Sequence, residues 1–415
     1  MKIGVLTYYR LGNFGANLQA VSTYYYLRRN GHEPVFIDYT SHQTEFTRLI
    51  SNVKKNISKR QPNPQQIRHI EFIDSIITSQ IHNIHTCSQV KKAILQKNIN
   101  GVIIGSDAVA QHWPLFSTLR LGKHRPYWIE PLPHERRFPN PFWGYGFSNV
   151  VPTVMMSVSS QNSKYEKFSH RTIYRMAKAL GKMKYISARD NWTRNMMLKA
   201  CPKLTIEVTP DPVFALNHNL AEMLPDEALI RSRFNLPEHY VLVGLKSQVL
   251  SMEQLKRLNE MFMQEGKECV AFCIEDNYAY SHPFSYQIQF PVSPIEWYGL
   301  IKYASAYIGS NMHPIVSSLA NAVPCFSLDN WGSTNFWGKK GEKRSSKVYD
   351  ILELFGLTEN HCTIENGHCN VSVEEIINRL HEFPQEQVGI VSKRLLDSYN
   401  KMMRTILKRL QDQAR

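Results

Sequence analysis

Two periodicities alternate along the chain. KIGVLTY (2–8) is a short apolar run of strand length, LGNFGANLQ a glycine-bearing turn, LQAVSTYYYLRRNG a helix stopped at Gly31, and PVFIDY (34–39) a second strand. Strand, helix and strand in that order predict a βαβ unit, hence a parallel sheet with its functional loops at the carboxyl ends of the strands. GVIIGSD (101–107), TVMMSVSS (153–160) and KYISARD (184–190) continue the series, with the helix RTIYRMAKALGKM between the last two. A second series starts at YVLVGLK (240–246) and runs through CVAFCIE, QIQF, AYIGS and PCFSL. Here SPIEWYGLIKYAS and MHPIVSSLANA are the intervening helices.

The pattern therefore predicts two α/β domains with mainly parallel sheets and an active site in the cleft between them. A break in periodicity near 217–238 separates an N-terminal domain (1–230) from a C-terminal one (236–384). The basic stretch 385–415 reads as a closing helix that packs back across the junction. Between 114 and 150 the alternation fails, and PYWIEPLPHERRFPNPFWGYGF, rich in proline and aromatics, reads as an ordered insertion or lid.

Composition changes this picture little. With 415 residues, 43% of them hydrophobic, each half can bury a core without disulfides or metal. The seven cysteines form no C-x-x-C pair, and CVAFC places two of them in an apolar run, which fits a reducing compartment. The first residues form a strand rather than a signal peptide, and no run of eighteen apolar residues occurs. The expected address is cytoplasmic, at the inner face of the cell membrane.

Charge matters more. A formal net charge of +14 implies attraction to something anionic. Part of the excess lies in RLISNVKKNISKRQPNPQQIRHI (48–70), which carries six cations and no acid. That run reads as a solvated basic surface or as a contact with an anionic membrane. No aromatic-basic module of the nucleic-acid-binding kind is visible, so no nucleic-acid partner is expected.

Candidate chemistry clusters at the predicted strand ends. His313 opens the helix after AYIGS, where backbone N–H groups favour an anion and an imidazole can move a proton near neutral pH. It fits a catalyst or a simple helix-start residue. Arg189, ending KYISARD, can fork two hydrogen bonds to a carboxylate or phosphate, or pair with Asp190. Asp107 fits a sugar hydroxyl or a helix N-cap. Asn13, Asn17 and Gln19 in the first loop lack the G-x-G-x-x-G spacing of a dinucleotide site and suit hydroxyls better than pyrophosphate. Ser310 and Asn311 beside the histidine, Lys246 at the end of YVLVGLK, and Lys343 and Arg344 in the basic loop 339–347 complete the candidate binding set. No zinc-spaced cluster, H-E-x-x-H or D-x-D motif points to a metal.

Taken in series, MKIGVLTYYRLGNFGANLQAVSTYYYLRRNGHEPVFIDY, GVIIGSD, ISARD, TPDPVFAL, SNMHPIVSSLANAVPCFSL and RSSKVYDILELFGL resemble the polysaccharide pyruvyl transferase family over roughly residues 1–357. The resemblance implies two facing Rossmann-like domains of the glycosyltransferase B kind, the N-terminal one on the acceptor side. It implies phosphoenolpyruvate as co-substrate, no cofactor and no metal, and a surface-glycan sugar or lipid-linked oligosaccharide as acceptor, giving a pyruvate ketal. It matches His313 and Arg189 to the family's catalytic histidine and strand-end arginine, Asp107 to its G-S-D aspartate, and Asn13 to Gln19 to its first loop. Asn311 stands where many members carry arginine. Two rival readings share much of this pattern. One is a nucleotide-sugar glycosyltransferase of the same architecture. The other is a non-catalytic glycan- or anion-binding protein.

Overall fold

The computed structural model describes residues 1–47, 49, 63–113, 119–122, 125–129, 133–274, 280–329, 346–365 and 367–412. Lys343, Arg344 and most of the basic run 48–68 lie outside the described residues.

The chain forms two seven-stranded sheets. The N-terminal sheet contains β1 (Lys2–Leu6), β2 (Glu33–Tyr39), β3 (Gln80–Ile84) and β4 (Gly101–Ile104). A two-stranded hairpin, β5 (Leu119–Gly122) and β6 (Arg125–Ile129), precedes its last strands, β7 (Thr153–Val158), β8 (Tyr185–Ala188) and β9 (Glu207–Val208). Its order is β3-β2-β1-β4-β7-β8-β9, all parallel. The C-terminal sheet comprises β10 (Tyr240–Gly244), β11 (Glu268–Ala271), β12 (Tyr286–Gln287), β13 (Ala306–Gly309), β14 (Cys325–Asp329), β15 (His361–Glu365) and β16 (His368–Cys369). Its order, β12-β11-β10-β13-β14-β15-β16, is parallel except for the closing β15/β16 pair.

The central strands carry continuous apolar runs because helices cover both faces. KIGVL, GVII and YVLVG are buried almost throughout. Helix α1 (Phe14–Arg29) starts at an Asn13 cap, whose side chain accepts from the Ala16 N–H (2.9 Å). It shows no clean amphipathic stripe because Phe14 through Tyr24 is buried on every side. Helices α2 (Pro64–Ile76) and α3 (Pro294–Lys302) meet it at the domain junction, where Phe14 stacks on Trp297 with ring centroids 5.0 Å apart.

Helix α4 (Met312–Ala320) follows β13, and α5 (Lys347–Leu354) is capped by Ser346. Helix α6 (Gln385–Gln411) crosses both domains. Ser392 Oγ donates to Leu319 O of α4 (2.6 Å), Tyr399 packs edge-on against Tyr26 of α1, and Leu410 covers Gly101. One apolar cluster accordingly runs from Ile3 and Leu18 through Trp297 and Ile315 to Tyr399 and Leu410.

The helix Glu227–Phe234 straddles the boundary read at residue 230, and Ile230 packs on Gly299 of α3, in the C-terminal domain. Part of the aromatic segment read as an ordered insertion or lid contributes to the interior. Phe142, Trp143 and Phe147 are fully buried in the N-terminal core, because their apolar area is worth more there than over a wet cleft.

Candidate active site

The carboxyl ends of both sheets face one cleft of about 990 Å³. Segments at the ends of β1, β2, β4 and β7 line it from one domain, and those at the ends of β10, β11, β13 and β14 from the other, with Arg189 and Asp211 after β8 and β9 lying behind the His313 side of the wall.

His313 sits on the first turn of α4, its side chain 18% exposed. Its imidazole lies flat over Gly15 at the start of α1: a Cβ on Gly15 would fall 2.0 Å from His313 Cγ and 2.2 Å from Nδ1. Only glycine fits beneath the ring. Gln19, one turn along α1, directs its amide at two acceptors, Asp211 Oδ2 (2.5 Å) and His313 Nε2 (3.2 Å). With the amide donating, Nε2 is the bare nitrogen and the ring proton sits on Nδ1. Burial holds the imidazole pKa below its usual value, with Arg189 and Lys347 acting the same way, against the pull of Asp211 and Asp107. His313 is therefore a neutral base near pH 7.

Asp211 connects the cluster. It follows β9 and caps the short turn Pro212–Ala215 with Oδ1, which accepts from the Val213 N–H (3.0 Å). Its Oδ2 receives Gln19, accepts from Arg189 Nη1 (2.9 Å) and lies 4.0 Å from His313 Nε2. In TPDPVF the aspartate looks like a turn residue and nothing more. The D-P pair was the available signal for the cap, but it could not show that the second carboxylate oxygen faces residues 22 positions before and 102 after it.

Arg189 is 4% exposed, and Nε and Nη2 have no hydrogen-bond partner among the described residues. Asp107 Oδ1 lies 3.8 Å from Nη2. Asp107 occupies φ 75°, ψ −173°, a region that disfavours side chains, and its Oδ1 accepts from the Ala108 N–H (2.7 Å). Burial pushes its carboxyl pKa up, but Arg189 and Lys347 outweigh that, and the group stays below the usual range. Before it, Gly105 has φ +114°, and a Cβ there would fall 2.3 Å from Met156 O. Glycine is obligatory in G-S-D for that reason.

Lys347, at the first position of α5, lines the same cleft. Burial, with Arg189 nearby, lowers its pKa to about 8. Single residues of the basic loop were not separable in the sequence, so its place at the cleft wall could not be picked out.

The remaining candidates divide by what they bond. Asn17 is fully buried and structural in its contacts: Oδ1 accepts from the Arg10 N–H (2.8 Å), and Nδ2 donates to Leu11 O (2.8 Å) and faces His69 Nδ1 (3.1 Å). Asn13 lines the cleft while capping α1. Ser310 is buried and donates to Leu328 O (2.7 Å). Asn311, at φ 77° and ψ 147°, lends no side-chain cap to α4 and lines the cleft, while its N–H donates to Asp329 Oδ2 (3.0 Å). Lys246 reaches the cleft paired with Asp329 (3.2 Å). The structure thus brings His313, Arg189, Gln19 and Asp107 together, with Asp211 and Lys347 added. Asn13, Asn311 and Lys246 stand on the rim.

The family model described as polysaccharide pyruvyl transferase matches residues 13–332, more than three quarters of the chain. The chain belongs to this family. His313, Arg189, Gln19, Asp107 and Asp211 all fall within the matched span, and Lys347 lies beyond it. No curated protein matches the chain in sequence. Among solved structures, the UDP-GlcNAc 2-epimerase from Neisseria meningitidis bound to UDP-GlcNAc superposes with a TM-score of 0.53 at 11% identity, over 98% of this chain and 100% of that one. The UDP-GlcNAc 2-epimerase from Methanocaldococcus jannaschii gives 0.49 at 12% identity (98% and 100% covered). A glycosyltransferase from Rickettsia africae gives 0.49 at 11% (99% and 98%). At these identities the likeness concerns the fold alone. This pyruvyl transferase family member has the two-domain glycosyltransferase-B architecture, with its cleft between the sheets.

Proposed function

We propose that the protein transfers the enolpyruvyl group of phosphoenolpyruvate to a sugar of a surface polysaccharide or its precursor, forming a pyruvate ketal and releasing phosphate. The observation that carries this reading is the buried Arg189, two of whose nitrogens, Nε and Nη2, have no hydrogen-bond partner among the described residues, beside Lys347 and a neutral imidazole. A co-substrate with a carboxylate at one end and a phosphate at the other suits two separate cations. The reaction as written calls for no cofactor.

In the first step His313 relays the proton of an acceptor hydroxyl to the methylene carbon. As that carbon is protonated C2 becomes cation-like and the hydroxyl oxygen bonds to it, so an alcohol has added across the double bond. In the second step a neighbouring hydroxyl of the same sugar attacks C2 and phosphate leaves with the C–O electron pair. His313 removes the second proton. Gln19 fixes the tautomer with the ring proton on Nδ1 and must give up its hydrogen bond to Nε2 when that nitrogen takes the hydroxyl proton, and Asp211, near the ring, favours each transient imidazolium.

The test is phosphate release from phosphoenolpyruvate with galactosyl, mannosyl and N-acetylhexosaminyl acceptors. Turnover that disappears in His313→Ala while the melting temperature holds supports the reading. Absence of both turnover and donor binding rejects it. Release of a nucleoside diphosphate from a nucleotide sugar would assign a glycosyltransferase instead, and glycan binding indifferent to His313→Ala, without phosphate release, a binding protein.

A further inference from the structure

Most of the net charge of +14 comes from one stretch, 164–203, which holds eleven lysines and arginines against two acids, Glu166 and Asp190. Of these, Arg189 and Asp190 are buried, and the excess therefore belongs to the surface. We propose that the outer face built from this stretch docks on a bilayer rich in anionic phospholipid. The inference goes beyond the transfer reaction and does not rest on it.

Strands β7, β8 and β9 are parallel neighbours in that order, and right-handed crossovers put both connecting helices, His170–Leu180 and Asn191–Ala200, on one side of the sheet. The first helix turns Met176, Ala179 and Leu180 into the core. Arg171, Tyr174 and Lys178, with Lys182 just past its end, recur at helical spacing on the other side, and all four are exposed. Tyr174 is 61% exposed although Lys178 Nζ lies 4.5 Å from its ring centroid, so ring and ammonium are presented together. Arg175 extends the stripe sideways: Nη2 donates to the hydroxyl of the exposed Tyr145 (3.4 Å). Arg171, Lys178 and Lys182 form no ion pair among the described residues. Of the acids nearby, Glu207 accepts from the Tyr185 hydroxyl (2.8 Å), and Asp350 and Glu353 stand beyond the second helix, in a pocket with Asn191 and Arg194. The stripe on the first helix is thus left uncompensated.

Charge and ring chemistry together identify the partner. Arg171, Tyr174, Lys178 and Lys182 line neither the cleft nor that pocket, so they suit an extended surface rather than a small ion. Lipid phosphates pair with the cations, and a phenol ring settles at headgroup level with its hydroxyl in water. The apolar side of the helix is committed to the core, so the contact is peripheral and nothing inserts deeply. A soluble polyanion would be held by the cations alone and would be indifferent to Tyr174. The face also begins at the active cleft. Gln161 and Asn162 line the cleft, and the helix starts only eight residues on, at His170. Docking therefore brings that wall of the cleft close to the lipid.

The experiment sediments the full chain with vesicles of equal parts phosphatidylglycerol and phosphatidylcholine, and with vesicles of phosphatidylcholine alone. Binding is expected to the anionic vesicles only, weakening as salt is added. The triple variant Arg171→Gln, Lys178→Gln, Lys182→Gln is expected to lose about 100-fold in partition coefficient, roughly fivefold per cation. Removing three exposed cations of α6 (Lys401→Gln, Arg404→Gln, Lys408→Gln) takes away the same charge elsewhere and is expected to cost less than about threefold. Tyr174→Ser is expected to weaken binding without changing its salt dependence. No binding to the anionic vesicles, equal binding to the neutral ones, or equal losses in the two triple variants overturns the proposal. Dextran sulfate that binds as tightly as the vesicles, with Tyr174→Ser without effect on either, also overturns it and assigns a soluble polyanion. Vesicle binding that follows the 171–182 substitutions in a protein that releases no phosphate from phosphoenolpyruvate upholds the docking face and rejects the catalytic reading.

Discussion

Gly15 illustrates how one side-chain position controls the site. It lies inside α1, where alanine is favoured over glycine by roughly 1 kcal/mol. Its Cβ would nevertheless fall 2.0 Å from His313 Cγ, so the ring must move. Gly15→Ala is expected to leave thermal stability within about 1 kcal/mol of wild type while lowering kcat/KM by about 100-fold, since a displacement near 1 Å costs that much in a positioned group. Equal kinetics, with a melting curve to match, would show that the imidazole position is not decisive. Lys347 gives the second residue-scale prediction. Its folded pKa of about 8 lies below the ordinary 10.5, so between those values the unfolded chain binds more protons and the ligand-free protein gains stability as pH rises. Ligand binding has the opposite trend. A bound dianion favours the ammonium, so binding of phosphoenolpyruvate takes up a proton near pH 8.5 and weakens as pH climbs further. Calorimetry in two buffers of different ionisation enthalpy measures that uptake, and Lys347→Met should abolish it.

At the scale of elements, the cleft is built where strands hand over to helices in unfavourable backbone conformations. Asp107 after β4 and Asn311 after β13 both have φ near +75°, in a region occupied almost only by glycine. Asn311→Gly keeps the N–H that donates to Asp329 and removes the side-chain conflict. It is expected to raise stability by about 1 kcal/mol, read from chemical denaturation, and to slow turnover if the amide contacts donor or acceptor. The parallel core strands were legible because burial on both faces leaves unbroken apolar runs such as GVII and YVLVG. The edge strands were not: QIHNI of β3 is mostly polar and β9 is two exposed residues, so neither carries a period to read. The candidate site was legible where chemistry ended a strand, as at Arg189, Asp107 and His313. It was illegible at Asp211, whose bonds to Gln19 span 192 residues of chain. Asn17 carries the converse lesson: an amide on the first turn of α1 holds the preceding loop through Arg10 and Leu11.

At the scale of the molecule, the junction between the domains is packed rather than hinged on a bare linker. Gln65 of α2 makes a reciprocal pair with Val292, accepting from its N–H and donating to its carbonyl, both at 2.7 Å. His69 lies fully buried behind this pair, between Asn17 and Gln65, with Phe14 edge-on at 4.5 Å. Burial lowers its pKa to about 4, and burial together with Arg137 does the same to His112 in the N-terminal domain. Both are neutral when folded at pH 7. Between about 6.5 and 4 the unfolded chain binds protons that the folded chain does not, so stability falls as pH falls through that window. Each histidine is expected to contribute on the order of 2–3 kcal/mol to the loss. Denaturation midpoints at several pH values across the window measure the slope. His69→Gln keeps a hydrogen-bonding side chain of similar reach and removes the titration, so it should reduce the slope, and His112→Gln should reduce it further. The two differ in what fails first. Charging His69 strikes beside the Gln65–Val292 pair, so acid should loosen the alignment of the domains and weaken donor binding before the sheets unfold. His112, packed against Phe138 and Phe168, lies inside one domain and away from the Gln65–Val292 pair. Donor affinity that tracks His112→Gln, or an acid slope unchanged in His69→Gln, would place the weak point of the molecule elsewhere than its junction.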